Sequence, residues 1–323
     1  MPAHSKSSNN LSRRTFINLT AAATTGLLIS PALGHNHLYG SEKYSEDMGI
    51  QLWSISQLLK SNLDETLEKL SEIGFTQVEF PMFQMVETIA SNLANNGLKP
   101  TSRHFPFAYL SNNWDHFPKY NIPIPNQTKF EAVIEDAEKN GLKYLVMPYI
   151  FPEERGDIDR YKEIATELNQ AGELCKSAGI QLSYHNHHFE FRPINGTLPF
   201  SIIESETDPD LLSFQIDVPF IYLMGNDPAT FIKRLGNRVS LLHLKDLNKN
   251  IQGELLKEFQ NKPIDDLWDQ SVELGTGSID FKSILQAAKE VGVDNCYVEL
   301  EGKNGNSLDI VMGSFEHLKQ IDL

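Results

Sequence analysis

The strongest constraint on the fold is a regular alternation of short apolar runs with amphipathic helical segments along nearly the whole chain. Eight runs have the length and pattern of β-strands: residues 48–55, 77–80, 100–105, 144–149, 180–187, 212–218, 239–246 and 296–301. Between them the apolar period changes from two to about 3.6 residues, and several helical segments end in a glycine followed by an apolar residue, as in EIGF, KNGL and SAGI. Eight such units without a linker predict a single-domain α/β protein, a (β/α)8 TIM barrel.

The alternative architecture is an open, doubly wound parallel sheet. Such a sheet would carry a glycine-rich phosphate turn after its first strand, whereas LWSISQLL follows here. In a barrel, functional residues lie at the C-terminal ends of the strands. Two connections on that side, 106–126 and 247–279, are long, and we expect them to cover a pocket.

Residues 1–34 have the features of an export signal rather than of the folded domain. The pair Arg13 and Arg14 precedes a short apolar run, LTAAATTGLLIS, and the small residues Ala32 and Gly34. The paired arginines favour the twin-arginine route; a Sec signal and an uncleaved anchor are the alternatives. We therefore predict a barrel over residues 35–323 in a periplasmic or secreted protein.

The charge balance limits the partners. The chain carries a formal net charge of −15, and because residues 1–34 contain no acidic residue, the predicted barrel is more acidic still. An acidic surface disfavours nucleic acid and anionic membranes as partners, so we expect a small-molecule substrate; a homo-oligomer is compatible with the sequence. The two cysteines, Cys175 and Cys296, are predicted to be buried thiols rather than a disulfide.

Polar residues that could carry chemistry stand at the ends of the predicted strands. Alternation along the fifth strand places His185 and His187 on the same face. Because the fifth to eighth strands of a barrel are neighbours, we expect one of these histidines to face Asp217, His243 and Glu299 across the barrel mouth. Imidazoles and carboxylates on rigid strands suit a divalent metal such as Mn²⁺, Co²⁺, Zn²⁺ or Mg²⁺. The alternative is a network of buried charges without a metal, in which the carboxylates would repel each other.

Three segments resemble the xylose isomerase-like TIM barrels known as sugar phosphate isomerases/epimerases, relatives of the ketose 3-epimerases and inosose dehydratase: YHNHHFEF, IDVPFIYLMGNDPATFIKRLGNRVSLLHLKD and ELGTGSIDFKSILQAAKEVGVDNCYVELE. The resemblance covers nearly the whole chain after residue 34. It implies a metal site of Glu, Asp, His and Glu on strands five to eight, of which Asp217, His243 and Glu299 match the last three. His-Asn-His replaces the first glutamate, and Phe220 and Lys249 stand where the epimerases have a substrate-binding His and an Arg.

The residue types suggest a division of roles. The predicted metal ligands are His187, Asp217, His243 and Glu299. The predicted catalytic residues are Glu299, His185 as a proton carrier, and Lys245, which could donate to an oxyanion or else pair with Asp246. The predicted substrate contacts, with packing or structural roles as the alternative, are Glu79, His104, Glu190, Trp53 and Lys249.

The chemistry that this set favours is removal of a proton next to a carbonyl in a non-phosphorylated sugar or sugar derivative, assisted by a divalent metal. We predict an isomerase or epimerase that acts through an enediolate. The same site could expel a β-leaving group, as a 3-keto-glycoside lyase or hydrolase; a non-catalytic sugar-binding barrel and an endonuclease IV-like repair enzyme are further alternatives. The ELGTGSIDF segment, 273–281, is predicted to form a tight turn or a sugar contact rather than a phosphate site.

Overall fold

The structure is a computed structural model that describes residues 47–82, 86–126, 128–251, 257–258, 269–302, 305 and 307–323. The predicted export signal, residues 1–34, lies outside the described residues. Within the described ranges, no helix combines the length and the apolar character needed to cross a membrane.

Eight parallel strands close into a barrel, as the sequence predicts. The described ranges contain ten strands: β1 (Gly49–Gln51), β2 (Gln77–Phe80), β3 (Lys99–His104), β4 (Tyr144–Met147), β5 (Gln181–His185), β6 (Leu212–Asp217), β7 (Val239–Leu244), β8 (Asp246–Leu247), β9 (Ser271–Val272) and β10 (Asn295–Val298). The barrel order is β1-β10-β7-β6-β5-β4-β3-β2, and β8 and β9 form a separate antiparallel pair. The open-sheet alternative is therefore excluded.

Helices follow the strands around the outside of the barrel. They are α1 (Ser56–Ser61), α2 (Leu63–Ile73), α3 (Ala90–Asn95), α4 (Ala108–Ser111), α5 (Phe130–Lys139), α6 (Ile158–Ser177), α7 (Pro199–Glu206), α8 (Val218–Leu223), α9 (Pro228–Leu235), α10 (Phe281–Val291) and α11 (Leu308–Lys319). The glycines of the predicted helix-to-strand turns all have positive φ: Gly74, Gly97, Gly141, Gly179 and Gly292. Cys175 and Cys296 are buried and form no disulfide, as predicted.

The fifth strand is shorter than its sequence pattern predicts. It ends at His185, and the chain then turns into a 3-10 helix, Phe189–Phe191. His187 therefore lies in the turn, yet its ring centroid is 5.0 Å from that of His185. The two histidines are neighbours, as the sequence predicts, although only His185 belongs to the strand.

The barrel interior is divided into an apolar and a polar layer. Tyr144, Val146, Leu241 and Tyr297 form a buried apolar cluster inside the barrel. Inward-facing positions repeat every two residues along a strand, so His243 follows Leu241 toward the C-terminal end. The buried polar side chains of this second layer are Gln51, Glu79, Ser102, His104, His185, Gln215 and His243. The layer places titratable groups at the end of the barrel where active sites lie.

Candidate functional site

Three predicted residues come together at the C-terminal ends of β6, β7 and β10. One ligand atom from each of Asp217, His243 and Glu299 lies within 4.8 Å of the others, and all three side chains are buried. His243 also belongs to a second group of the same size, with His104 and His185. The two groups meet at the His243 ring, which makes this imidazole the centre of the site.

The His243 ring is held between two carboxylates. Its Nδ1 lies 2.5 Å from Glu299 Oε2, and its Nε2 lies 2.5 Å from Glu79 Oε1. Burial alone would lower the pKa of His243, but the two carboxylates raise it to about 10. A carboxylate on one ring nitrogen is the usual device that orients a histidine so that its other nitrogen binds a metal. Glu79 therefore fixes the ring, and Nδ1 points toward Glu299 and Asp217.

His185 points its second nitrogen at the same place. Its Nδ1 lies 2.9 Å from Gln215 Oε1, and its Nε2 lies 3.5 Å from Asp217 Oδ2. Burial lowers the pKa of His185 well below its ordinary value, and His243 lowers it further. A neutral imidazole oriented by an amide oxygen is a suitable metal ligand. The geometry thus favours His185 at the position where the family has its first glutamate.

The structure places His187, the predicted ligand of the fifth strand, in neither group. Its ring packs against Tyr149, Phe189 and Phe220, at centroid distances of 5.0, 5.7 and 4.9 Å. Burial lowers the pKa of His187 well below its ordinary value. The geometry favours His185 as the ligand, and the His187 ring lies beside it, with 5.0 Å between the ring centroids; the assignment of ligand and proton carrier to these two histidines stays a prediction.

Asp217 and Lys245 complete the centre. Asp217 is fully buried, and neither of its carboxylate oxygens accepts a well-aligned hydrogen bond, although the Lys245 ammonium lies 2.9 Å from Oδ2. Lys245 Nζ also lies 2.9 Å from Glu299 Oε2 and 3.2 Å from Glu301 Oε2. Lys245 thus contacts carboxylates of the site and not Asp246, which answers the alternative pairing considered from the sequence.

The site has the electrostatic character of a cation site. Burial alone would raise the pKa of Glu299, but Lys245 and His243 hold it below its ordinary value. Burial raises the pKa of Asp217, and Lys245 opposes that shift. Carboxylates kept ionised in a buried position require positive charge nearby. Lys245 and His243 supply that charge in the absence of a metal. Because their ligand atoms lie within 4.8 Å of one another, Asp217, His243 and Glu299, with His185 beside them, could also hold a divalent metal ion, and their mixed nitrogen and oxygen donors do not select one metal among Mn²⁺, Co²⁺, Zn²⁺ and Mg²⁺.

Glu79 and His104, predicted as substrate contacts, are buried behind the centre. Glu79 is fully buried and contacts Gln51, Ser102 and Gln215. It also contacts the rings of His104 and His243. Burial alone would raise the pKa of Glu79, but His104 and His243 hold it well below its ordinary value. His104 Nε2 lies 2.9 Å from Glu79 Oε1. Both residues support the rings of the site, and substrate contact by either one stays a prediction.

The other predicted substrate contacts lie in three different environments. Glu190 is fully buried: it accepts hydrogen bonds from the Tyr184 hydroxyl and the His187 backbone amide, and burial raises its pKa to about 7. Trp53 follows β1 and has 53% of its surface exposed. Lys249 is exposed in the connection after β8. Trp53 is thus available at the barrel mouth, whereas Glu190 stabilises the turn after β5.

Two residues of the site were not among those predicted from the sequence. Gln215 contacts Glu79, His104 and His185, and it precedes Asp217 by two residues, so strand alternation would have identified it. Glu301 stands two residues after Glu299, contacts Lys245, and has a pKa raised to about 7, chiefly by burial. It ends the strand predicted over 296–301, so the same alternation places it on the face of Glu299, although no role was predicted for it.

A small cavity adjoins the Lys245 ammonium. Its volume is 20 Å³, enough for about one water molecule. Phe220, Leu223 and Leu247 form apolar walls, and Lys245, Ser271 and Glu301 line the polar side. Phe220, which replaces a substrate-binding His of the epimerases, thus packs over the lysine, with Nζ 5.6 Å from its ring centroid.

Comparison with known proteins agrees with this fold. An inosose dehydratase from Lacticaseibacillus casei is 29% identical over 136 residues, which are 42% of this chain and 45% of that enzyme. A crystal structure of a sugar phosphate isomerase/epimerase from Parabacteroides distasonis has a TM-score of 0.65 and 24% identity, and the match covers 87% of this chain and 96% of that one. A crystal structure of the IOLI protein with a zinc atom has a TM-score of 0.61 and 18% identity, with 85% and 97% covered. The family model described as the xylose isomerase-like TIM barrel matches residues 67–321, and the chain belongs to that family.

Proposed function

We propose that this chain is a divalent-metal-dependent enzyme that removes a proton next to a carbonyl group of a non-phosphorylated sugar or cyclic polyol ketone and then eliminates a β-leaving group. The observation that carries the proposal is the asymmetry of the site. His185 stands where the epimerases have a second metal-binding glutamate, and Lys245 brings an ammonium group within 3.2 Å of three carboxylates of the site. Elimination needs one base and one acid, not a matched pair of bases. Glu299, whose carboxylate Lys245 and His243 keep ionised, would take the proton from the carbon next to the carbonyl.

Asp217, His243, Glu299 and His185 would hold the metal. When bound, a divalent ion supplies positive charge beside the substrate carbonyl and so favours loss of the neighbouring proton. The chain itself keeps the site rigid: Glu79 and Gln215 fix the two imidazoles through hydrogen bonds on their other nitrogens. Such fixed partners avoid the cost of reorganising the site during the reaction.

Lys245 is the residue best placed to act as the acid. Burial alone would lower its pKa, but Asp217, Glu299 and Glu301 raise it well above its ordinary value, so the amine stays protonated. Nζ can donate a proton to the leaving oxygen, and Glu301, 3.2 Å away, lies within reach to pass a replacement proton. The cavity beside Nζ has room for the departing oxygen when that oxygen leaves as water.

The inosose dehydratases among the relatives support elimination. Isomerisation or epimerisation is the second candidate. It is favoured by the carboxylates of Glu79 and Glu299 on opposite nitrogens of His243 and by the name of the Parabacteroides distasonis protein, sugar phosphate isomerase/epimerase. We further propose that the protein is exported, which agrees with a substrate that lacks phosphate.

A solvent-exchange experiment tests the proposal. The metal-loaded protein is incubated in D₂O with a cyclic polyol ketone, a 3-keto-glucoside and a free ketose, and the products are followed by NMR. Deuterium beside the carbonyl together with loss of water or of the aglycone supports elimination. Deuterium without loss of a group selects the second candidate. The absence of exchange with every substrate and every divalent metal refutes an enolising enzyme and leaves a sugar-binding barrel.

A matched pair of variants isolates the proposed acid. Lys245→Met removes the ammonium and keeps the length of the side chain, and we expect elimination to fall by about 100-fold or more, since a general acid or base typically contributes about 100- to 10,000-fold. Lys176→Met, at an exposed lysine in the last turn of α6, before β5 and away from the barrel mouth, is the control and should keep full activity. An equal effect of both substitutions would contradict the role of Lys245.

A further inference from the structure

The loop before α10 forms a cup of backbone amides around a carboxylate of the same chain. The amides of Gly275 and Gly277 donate to Asp246 Oδ2, at 2.9 and 2.8 Å. The amides of Leu247 and Ile279 donate to Asp246 Oδ1, at 2.8 and 3.0 Å. Four backbone N–H groups converging on one anion are the arrangement that phosphate-binding loops present to a ligand.

The glycines of the cup are required by the close approach of this carboxylate. A Cβ atom on Gly277 would lie 2.2 Å from the Leu247 carbonyl oxygen and 2.3 Å from Asp246 Oδ1. Gly275 has a φ of +84°, and a Cβ there would lie 2.2 Å from Nδ1 of His317. The two glycines therefore accommodate Asp246 itself, and the cup is complete without an external anion.

The cup lies next to the proposed active site. Asp246 follows Lys245 in the chain, and both residues line the 20 Å³ cavity together with Glu301 and Ser271. This loop connects β7 to β10, the seventh and eighth strands of the barrel, where TIM barrels commonly bind a substrate phosphate. An anion of the protein thus stands where a substrate anion would be expected.

The charges around the cavity oppose a second anion. The positive group on the cavity wall, the Lys245 ammonium, already contacts Asp217, Glu299 and Glu301. Asp246 adds a further carboxylate, and its two oxygens use the four amides of the cup. A phosphate group in this position would lack amide donors and would face two carboxyl groups at close range.

We propose that Asp246 is a built-in anion that fills the phosphate cup of this barrel and restricts the enzyme to substrates that are uncharged at this position. Asp246 is thereby a specificity-determining residue, and the substrate class is a neutral sugar or polyol ketone rather than its phosphate ester. The inference about substrates rests on the proposed function. The cup itself is independent of catalysis and can be tested without turnover.

The first test removes the internal anion and supplies another. Asp246→Ala leaves four amides without an acceptor, and we expect a lower melting temperature that rises by at least about 5 °C in phosphate compared with chloride at equal ionic strength. The unchanged protein should shift by less than about 1 °C. Asp280→Ala is the matched control, because Asp280 accepts from the Ser283 amide at the start of α10; it should lose stability without recovery in phosphate. A folded Asp246→Ala protein that phosphate does not stabilise would overturn the proposal.

The second test uses the unchanged protein, so it does not depend on the folding of a variant. Solvent exchange is compared for a ketose and its phosphate ester at equal concentration. We expect the ester to react at least about 100-fold more slowly, and equal rates would overturn the restriction to neutral substrates. If neither compound exchanges, the proposed function fails, and the phosphate-dependent melting of Asp246→Ala still decides whether the cup exists.

Discussion

Replacement of His185 or His187 by alanine distinguishes the two possible ligands of the fifth strand. His185 Nε2 lies 3.5 Å from Asp217 Oδ2, with Nδ1 anchored on Gln215, whereas the ring of His187 is surrounded by aromatic side chains. Loss of a partner behind a ligand typically costs 10- to 100-fold in metal affinity. Loss of the ligand itself should weaken metal binding by at least the upper end of that range, about 100-fold, which corresponds to about 2.7 kcal/mol of binding free energy.

His187→Ala should behave in the opposite way. Removing a packed ring leaves a cavity, so we expect a loss of about 2 to 4 kcal/mol in the free energy of unfolding, with metal affinity changed by less than about threefold. Metal affinity is measured by competition with a chelating dye, and unfolding by urea titration of the metal-free proteins. The reasoning is refuted when His187→Ala weakens metal binding by 100-fold and His185→Ala leaves it unchanged.

Three further predictions concern stability and the barrel mouth. Burial raises the pKa of Glu154 to about 7, so the folded state holds this proton more tightly than the unfolded state, and stability falls as the pH rises from about 5 to about 8. After allowance for screening, Glu154→Gln should raise the free energy of unfolding, measured in urea, by about 2 kcal/mol at pH 8 and by almost nothing at pH 4.5. An equal gain at both pH values would contradict burial as the cause. Gly277→Ala should lower the free energy of unfolding by more than about 2 kcal/mol because of the close contacts of the added Cβ. Gly97→Ala, whose added Cβ would meet open space, should lower it by about 1 to 2 kcal/mol from its positive φ alone, and equal losses would show that the contacts do not matter. Trp53→Ala should change the free energy of unfolding by less than about 0.5 kcal/mol and raise KM for a sugar, and an unchanged KM would exclude stacking on the exposed indole.

The sequence predicts the barrel and most of its functional end because both follow from regular patterns. Alternation along β6, β7 and β10 brings Asp217, His243 and Glu299 to one place without any knowledge of loops. The same reasoning does not give the end of β5 at His185, because the end of a strand depends on the turn that follows. Here the Glu190 carboxylate accepts the His187 amide, and a hydrogen bond of this kind has no period in the sequence.

Side-chain orientation within the site is the second limit. The sequence suggests Asp246 as a partner of Lys245, but the amides of the loop 275–279 bind Asp246, and Lys245 contacts Asp217 instead. Those amides come from a segment about 30 residues away in the chain. Local sequence patterns cannot predict a contact that depends on the geometry of two segments far apart in the chain.

The Glu79 carboxylate has a consequence for how the barrel folds. It belongs to β2, and its partners come from β1 and β3 in the first half of the chain and from β6 and β7 in the second half, through Gln215 and His243. A half-barrel of β1 to β4 would leave this buried carboxylate without two of its partners, and a half-barrel of the remaining strands would leave His243 Nε2 without its carboxylate, with only Glu299 on the other nitrogen. The polar layer thus penalises partly assembled states and favours cooperative closing of the barrel.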